Sequence, residues 1–249
     1  MARQRLIIIG ATSSIAEHCA RRWLGSAPAD VLLVGRSSDK LARVARDLEV
    51  RSPDSTLVTR QLDFLDPAAI RELVDTFAEG GAIDIALVAH GNLPDQQACQ
   101  TLLPDARDAL MVNGVSPALW MEALAAAMQK SAGGKLVVIG SVAGDRGRKS
   151  NYIYGSAKGL IERYAQGLQH RLHGTGVEVC LVKPGPTRTP MTAELEPAGG
   201  SLADVEEVAE TIVKGVARGK PVIYAPAKWW LIMMVIRHLP RFIFNKLDI

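Results

Sequence analysis

Several things are scarce in this 249-residue chain, and each scarcity excludes a class of protein. Cysteine occurs only at positions 19, 99 and 180, far apart, odd in number and without a CxxC pair. That spacing supports neither a disulfide framework nor a thiolate metal site, and reduced thiols in a cytosolic setting fit best. No apolar run reaches the roughly 18 residues that would mark a membrane span. The opening MARQRLIIIGA places basic residues before an apolar run, but the run ends quickly and without a cleavage site, so we read a buried first strand rather than a signal peptide. His170 and His173 can share a helix face, yet no third ligand accompanies them, and no metal is expected. Gly140-Ser141-Val142-Ala143-Gly144 lacks the spacing of a nucleophile elbow. There are neither internal repeats nor low-complexity segments.

A single-sign charge excess is also missing from most of the chain. The net charge is +3, and the tail from Lys228 to Ile249 holds Lys228, Arg237, Arg241 and Lys246 against Asp248 alone. Setting these apart from the 29 basic and 26 acidic residues leaves 25 of each sign, so the body is neutral. A basic groove for nucleic acid is not expected.

What is present is an ordinary globular composition, 48% hydrophobic and 22% charged, with a regular alternation of elements. Apolar, β-branched runs at 5–10, 31–35, 55–62, 83–89, 134–140, 177–182 and 221–225 are separated by helix-length segments. Continuous apolar runs suit parallel strands covered on both faces. Asp66-Pro67 reads as an N-cap followed by proline in the first helical turn, and Ser38 opens a segment with Leu41, Val44, Ala45 and Leu48 on one face. The pattern predicts an α/β fold: one Rossmann-like, doubly wound parallel sheet of about seven strands with helices on both faces. We place this domain at 1–225, with its substrate cleft built in, and treat 226–249 as an apolar, basic tail.

The first strand-to-helix turn reads IGATSSIA. A dinucleotide fold needs small residues here so that backbone amides and the helix N-terminus can approach the pyrophosphate. Gly10 is the one glycine in that turn; Thr12, Ser13, Ser14 and Ile15 complete the candidate phosphate loop, and the hydroxyls serve equally as phosphate donors or as helix caps. The second strand ends at Gly35-Arg36-Ser37, whereas Asp30 precedes the strand, at its wrong end for a ribose. An arginine in that place suits a 2′-phosphate, because its planar fork binds a dianion and no carboxylate repels it. NADP(H) is therefore expected over NAD(H), the alternative.

The stretch GSVAGDRGRKSNYIYGSAK, residues 140–158, carries the chemistry. Tyr154 and Lys158 lie four residues apart and share a helix face, while Tyr152 has Ser156 at that spacing. A phenol with a reference pKa of about 10 exchanges protons poorly at neutral pH. A nearby ammonium is expected to lower that value. Tyr154 then gives a proton to a carbonyl oxygen as hydride reaches the carbon, and Ser141 holds the same oxygen.

These residues resemble the short-chain dehydrogenase/reductase family. The run YGSAK ends at Lys158, Ser141 stands thirteen positions before Tyr154, and Asn113 sits in MVNG. Asp63 follows the third strand, Ala89-His90-Gly91 the fourth, and PGPTRT, from Pro184 to Thr189, the sixth. The likeness covers residues 5 to about 225. It implies a proton relay in which Asn113 holds a water linked to Lys158, with Lys158 also on the nicotinamide ribose. It places Asp63 and Phe64 beside adenine, Ala89, His90 and Gly91 near the cofactor, and Pro184, Thr187 and Thr189 near its carboxamide and phosphates. It also implies a homo-dimer or homo-tetramer through helices around 100–130 and 152–172. Two departures stand out: the glycine loop is depleted, and Ala89-His90 replaces the usual Asn-Ala.

Arg146, Arg148 and Lys149 fall between Ser141 and Tyr154, on the expected rim of the substrate cleft. They read either as a clamp for a substrate phosphate or as a solvated loop. The tail KWWLIMMVIRHLPRFIF reads either as an interfacial membrane segment or as a cover for a neighbouring subunit or the cleft. Together they point to an anionic, partly apolar ketone, and the order of features is similar to reductases of polyprenyl-phosphate-linked keto-sugars in cell-envelope assembly. A cytoplasmic enzyme, touching the inner membrane face through 228–249, follows from that reading. A soluble 3-oxoacyl or small-ketone reductase whose tail is an oligomer interface is the alternative, and a non-catalytic NADP-binding scaffold is a further one.

Overall fold

The structure is a computed structural model, and it describes residues 3–131, 133–193 and 202–247. Seven strands form one sheet: β1 (Gln4–Ile9), β2 (Ala29–Gly35), β3 (Thr56–Gln61), β4 (Ile85–Val88), β5 (Gly134–Ile139), β6 (Val177–Pro184) and β7 (Val222–Ala225). Their order is β3-β2-β1-β4-β5-β6-β7, and every neighbouring pair is parallel. Side chains alternate across the sheet, so each apolar run feeds two cores. Leu6, Ile8, Leu33 and Leu87 pack on one face against α1 (Ser14–Ser26), α2 (Ser38–Arg51) and α8 (Val205–Ala217). Ile7, Ile9, Val34 and Val88 pack on the other against α3 (Pro67–Glu79), α6 (Ser116–Lys130) and α7 (Tyr152–Arg171). The expected doubly wound architecture is the one observed.

The local signals behave as their chemistry dictates. Asp66 caps α3, accepting from the amides of Ala68 at 2.9 Å and Ala69 at 3.2 Å, with Pro67 in the first turn where its missing N–H costs nothing. Between β4 and β5 come α4 (Gln96–Thr101), α5 (Leu103–Leu110), a π-helical turn over Met111–Val115, and α6. The helix from Leu103 to Lys130 is long and apolar enough to cross a membrane by length and composition, but 56% of its most apolar window is buried inside the fold. Trp120, Met121 and Leu124 fill the core from it, which marks it as a core helix.

The chain leaves β1 toward β2 and β3, then returns to β4 on β1's other side. The crevice between β1 and β4, at the carboxyl ends of the strands, is where such sheets bind nucleotides. Gly10 sits at its lip with φ +79°, and a Cβ there would stand 2.6 Å from the amide nitrogen of His90. Both the left-handed backbone and the close approach of the two loops require glycine.

The tail forms α9 (Lys228–His238) and α10 (Arg241–Phe244). Met233 is fully buried, and a Cβ on Gly185 would come within 1.8 Å of the Trp229 indole nitrogen, so α9 lies directly on the loop after β6.

Candidate active site

One cavity of about 390 Å³ opens at this crevice, and most of the residues anticipated for cofactor and catalysis line it. Gly10, Thr12, Ser13, Ser14 and Ile15 form one wall. Ser13 stands at the N-cap of α1 and makes no side-chain cap bond, which leaves its hydroxyl available to a phosphate at the helix N-terminus. Arg36 and Ser37 line the cavity at the end of β2, and Asp30 lies at the opposite end of that strand, facing Arg3 at 3.8 Å. Lys40 joins them. Sequence reading passed over it, although the signal was present: Ser37 caps α2 by accepting from the Lys40 amide at 3.4 Å, so Lys40 sits in the first turn beside Arg36.

Ser141 follows β5 in extended backbone and caps a short turn over Val142–Gly144, accepting from the Ala143 amide at 3.1 Å. That turn rests on α7 almost backbone to backbone. A Cβ on Gly155 would be 2.8 Å from the Ala143 oxygen, and one on Gly144 would be 2.8 Å from the Lys158 carbonyl carbon. The absent side chains bring Ser141 into hydrogen-bonding contact with Tyr154. The Lys158 ammonium lies 5.6 Å from the centre of the Tyr154 ring and donates to the Ile139 carbonyl at 3.0 Å. Tyr152 is 40% exposed and outside the cavity lining, whereas Tyr154 lines it.

The electrostatics differ from expectation. Lys158 was expected to lower the phenol's pKa; instead burial pushes Tyr154 up to about 12, against the opposing pull of its hydrogen bond to Ser141. Burial also brings Lys158 down to about 8. Desolvation sets the direction of the shift, and the phenol is held protonated.

Asn113, in the π-helical turn, is fully buried. Its amide donates to Asn92 Oδ1 at 2.7 Å and to the Ala109 carbonyl at 3.0 Å, and its Oδ1 accepts from the Asn92 amide at 2.8 Å. Both amide hydrogens are thus committed to protein, leaving one lone pair on Oδ1. Ala89, His90, Gly91, Phe64, Pro184, Thr187 and Thr189 all line the cavity. His90 is buried at 8% exposure, meets the Ser116 hydroxyl at 2.7 Å, and is held neutral, its pKa lowered to about 3 by burial. Because Ser116 donates to the Phe64 carbonyl, His90 Nε2 is the donor to Ser116. Asp63 departs from expectation: it is exposed, accepts from the Leu65 amide at 3.0 Å, and lies outside the lining.

The three cations do not act together. Arg148 lines the cavity, with its Nε buried and unpartnered, next to Asn151, whose Oδ1 is likewise buried and unpartnered. Arg146 turns away. It donates to the Ile236 carbonyl, to that of Leu239 at 2.7 Å and to that of Arg237 at 3.4 Å, and its guanidinium stacks 3.7 Å from the centre of the Phe244 ring. The carbonyl-rich C-terminus of α9 is a natural seat for a cation. Lys149 is exposed, outside the lining. Behind the loop, Lys183 forms ion pairs with Asp145 and with Glu162 at 2.8 Å, and the Tyr224 hydroxyl donates to Asp145 at 2.9 Å. Burial disfavours the charged lysine, but the two carboxylates more than offset this and raise its pKa. This buried cluster ties the loop after Ser141 to β6, β7 and α7.

Among the described residues the lining contains Arg36, Lys40, Arg148 and Lys158 and no Asp or Glu. The positive-φ glycine, the uncapped helix N-terminus and this cationic wall fit a phosphorylated dinucleotide. No group of three or more His, Cys, Asp or Glu side chains that could hold a metal occurs among the described residues. A nucleotide crevice sharing one cavity with a Ser–Tyr–Lys cluster defines a dinucleotide-dependent oxidoreductase. Residues 4–199 match the short chain dehydrogenase family, and the chain belongs to it. It is 36% identical over 244 residues to an uncharacterized oxidoreductase of Mycobacterium tuberculosis, covering 97% of this chain and 96% of the relative. A Streptomyces coelicolor oxidoreductase encoded in the mprA 5′ region is 32% identical over 244 residues, 97% of this chain and 95% of its own length. The fold is shared with a bulky-bulky ketone specific alcohol dehydrogenase from Comamonas testosteroni (TM-score 0.80, 23% identity, 100% and 96% of the two chains). It is shared too with a Sphingobium yanoikuyae short-chain dehydrogenase in complex with NADPH (TM-score 0.75, 24% identity, 96% and 97%).

Proposed function

We propose that the protein reduces a ketone to a secondary alcohol with NADPH, Tyr154 being the proton donor. The carrying observation is the convergence of Ser141, Tyr154 and Lys158 on a cavity lined by cations and free of carboxylates among the described residues. When bound, the nicotinamide supplies a hydride to the carbonyl carbon. Ser141 donates to the carbonyl oxygen and fixes its direction, and Tyr154, kept protonated by burial, delivers the proton to that oxygen. Lys158 supplies positive charge beneath the developing alkoxide, and Asn113 offers its remaining lone pair to a relay water. Arg36 and Lys40 hold the 2′-phosphate; Thr12, Ser13 and Ser14 hold the pyrophosphate.

Of the substrate we propose that it carries an anionic group, as a lipid- or nucleotide-linked keto-sugar of cytoplasmic cell-envelope or polysaccharide synthesis does. Arg148, with a buried unpaired donor beside the unpaired acceptor of Asn151, supports this. Leu93, Val142 and Met191 supply an apolar side to the same cavity and favour the second reading, a bulky neutral ketone. Self-association through α5 and α7, where Leu103 and Leu160 are exposed, suits the expected homo-oligomer.

The test is NADPH consumption across ketones with and without a phosphate, in the parent protein, Tyr154→Phe and Tyr152→Phe. Loss of the general acid lowers kcat by about 10²–10⁴-fold, with NADPH binding retained and Tyr152→Phe unaffected. Turnover that survives Tyr154→Phe overturns the mechanism. Phosphorylated ketones reacting no better than neutral ones, with Arg148→Ala silent, overturn the anionic substrate.

A further inference from the structure

The helix α9 presents a surface that ketone reduction does not use. The inward side of α9 is spent on the body through Trp229 and Met233. Its outward side carries Trp230, Leu231, Met234 and Val235, at i, i+1, i+4 and i+5, between 40% and 57% exposed. That spacing makes a single stripe along the helix, and Phe242, 70% exposed, continues the apolar surface into α10. Lys228, Arg237, Arg241 and Lys246 are exposed along the same segment, and among the described residues none of them pairs with a carboxylate. From Lys228 to Leu247 the sequence has no Asp or Glu.

We infer that this face docks the protein on a bilayer rich in anionic phospholipid, with Trp230, Leu231, Met234, Val235 and Phe242 at headgroup depth and the four cations among the phosphates. The helix has eleven residues, too few to span, which leaves it lying in the interface. Charge decides between the two candidate occupants. A two-fold contact sets a patch against its own copy, so a second chain would bring four identical cations against these four, with no carboxylate among the described residues of the segment to separate them. An anionic bilayer brings the opposite sign.

The anchor is fixed to the walls of the cavity. Trp229 holds the start of α9 on Gly185, and Arg146 holds its end to the loop that follows Ser141. Both Gly185 and that loop line the cavity, so docking fixes the cavity's position relative to the lipid surface and suits a substrate with a lipid part. The inference goes beyond the reductase reading and does not depend on it.

The test uses the full chain with vesicles of phosphatidylcholine, with and without phosphatidylglycerol, in a flotation assay at low and high salt. Binding is expected to the phosphatidylglycerol vesicles, weakened by salt. Arg237→Gln and Arg241→Gln each lower partitioning about five-fold. Trp230→Ser with Val235→Ser abolishes it and leaves the midpoint of urea unfolding unchanged, which shows that the variant is folded. Absence of binding at low salt overturns the inference. So does a Trp230→Ser/Val235→Ser variant that still floats, or one that sediments as a smaller assembly than the parent, which assigns the face to a second copy. Activity toward ketones enters none of these outcomes, so failure here is distinguishable from failure of the proposed reaction.

Discussion

On the proposed NADPH reading, removing Arg36 and Lys40 should leave a protein that scarcely distinguishes NADPH from NADH. Both side chains line the nucleotide end of the cavity, with no acidic residue lining it among those described. A hydrogen bond to a charged group contributes about 1.5–3 kcal/mol. Arg36 is exposed at the strand end, and solvent screening cuts such a pair roughly in half. About 0.75–1.5 kcal/mol then remains, about four- to twelve-fold in Kd. Lys40, exposed as well and acting as a point charge, adds about 0.5–1 kcal/mol, a few-fold more. The double alanine variant is expected to bind NADPH some thirty-fold more weakly, with NADH affinity unchanged because NADH has no 2′-phosphate. Fluorescence titration of both cofactors at two ionic strengths measures this, and the NADPH effect should shrink as salt rises. Equal losses for NADPH and NADH would refute the assignment, since the two cations would then be acting on something the cofactors share.

Two further outcomes follow from the buried charges. With Lys158 brought down to about 8 and Tyr154 up at about 12, the lysine is cationic below about pH 8 and loses its charge above it, while the tyrosine keeps its proton. The kcat/KM for reduction should therefore fall as pH rises through about 8, and Lys158→Met should leave a low rate without that inflection; a parent profile flat from pH 7 to 9 counts against the assignment. Lys183→Met strands the buried carboxylates of Asp145 and Glu162, whose side chains are 0% and 10% exposed. Breaking a buried pair in this way costs about 3–5 kcal/mol, read as a lowered midpoint in urea unfolding, with part of it recovered by adding Asp145→Asn. An unchanged midpoint would show that the cluster does not brace the loop after Ser141.

Much of this architecture was legible in the amino-acid order, because it rests on short-range regularities. Apolar runs at strand length, the Asp66-Pro67 cap and the four-residue step from Tyr154 to Lys158 are local patterns that a helix or strand converts directly into faces. The place of Arg36 at a strand end is of the same kind. Other features were settled by residues distant in the chain. Arg146 reads as a rim cation beside Arg148, yet its partners are carbonyls up to 93 positions away, at the end of a helix whose path no local pattern specifies. Asp63 and Lys40 depart from the sequence reading for a similar reason: Asp63 spends its carboxylate on the Leu65 amide, while the capped first turn of α2 brings Lys40 into the cavity. The sign of the Tyr154 shift required burial to be known, since spacing shows only that an ammonium is near, not how far the phenol is desolvated. Sequence alone determined the sheet, its helices and the grouping of Tyr154 with Lys158, because backbone periodicity places them. Tertiary structure alone decided which cation meets the cavity, which holds the tail, and which proton stays on, because those depend on contacts between loops and on the water each group has lost.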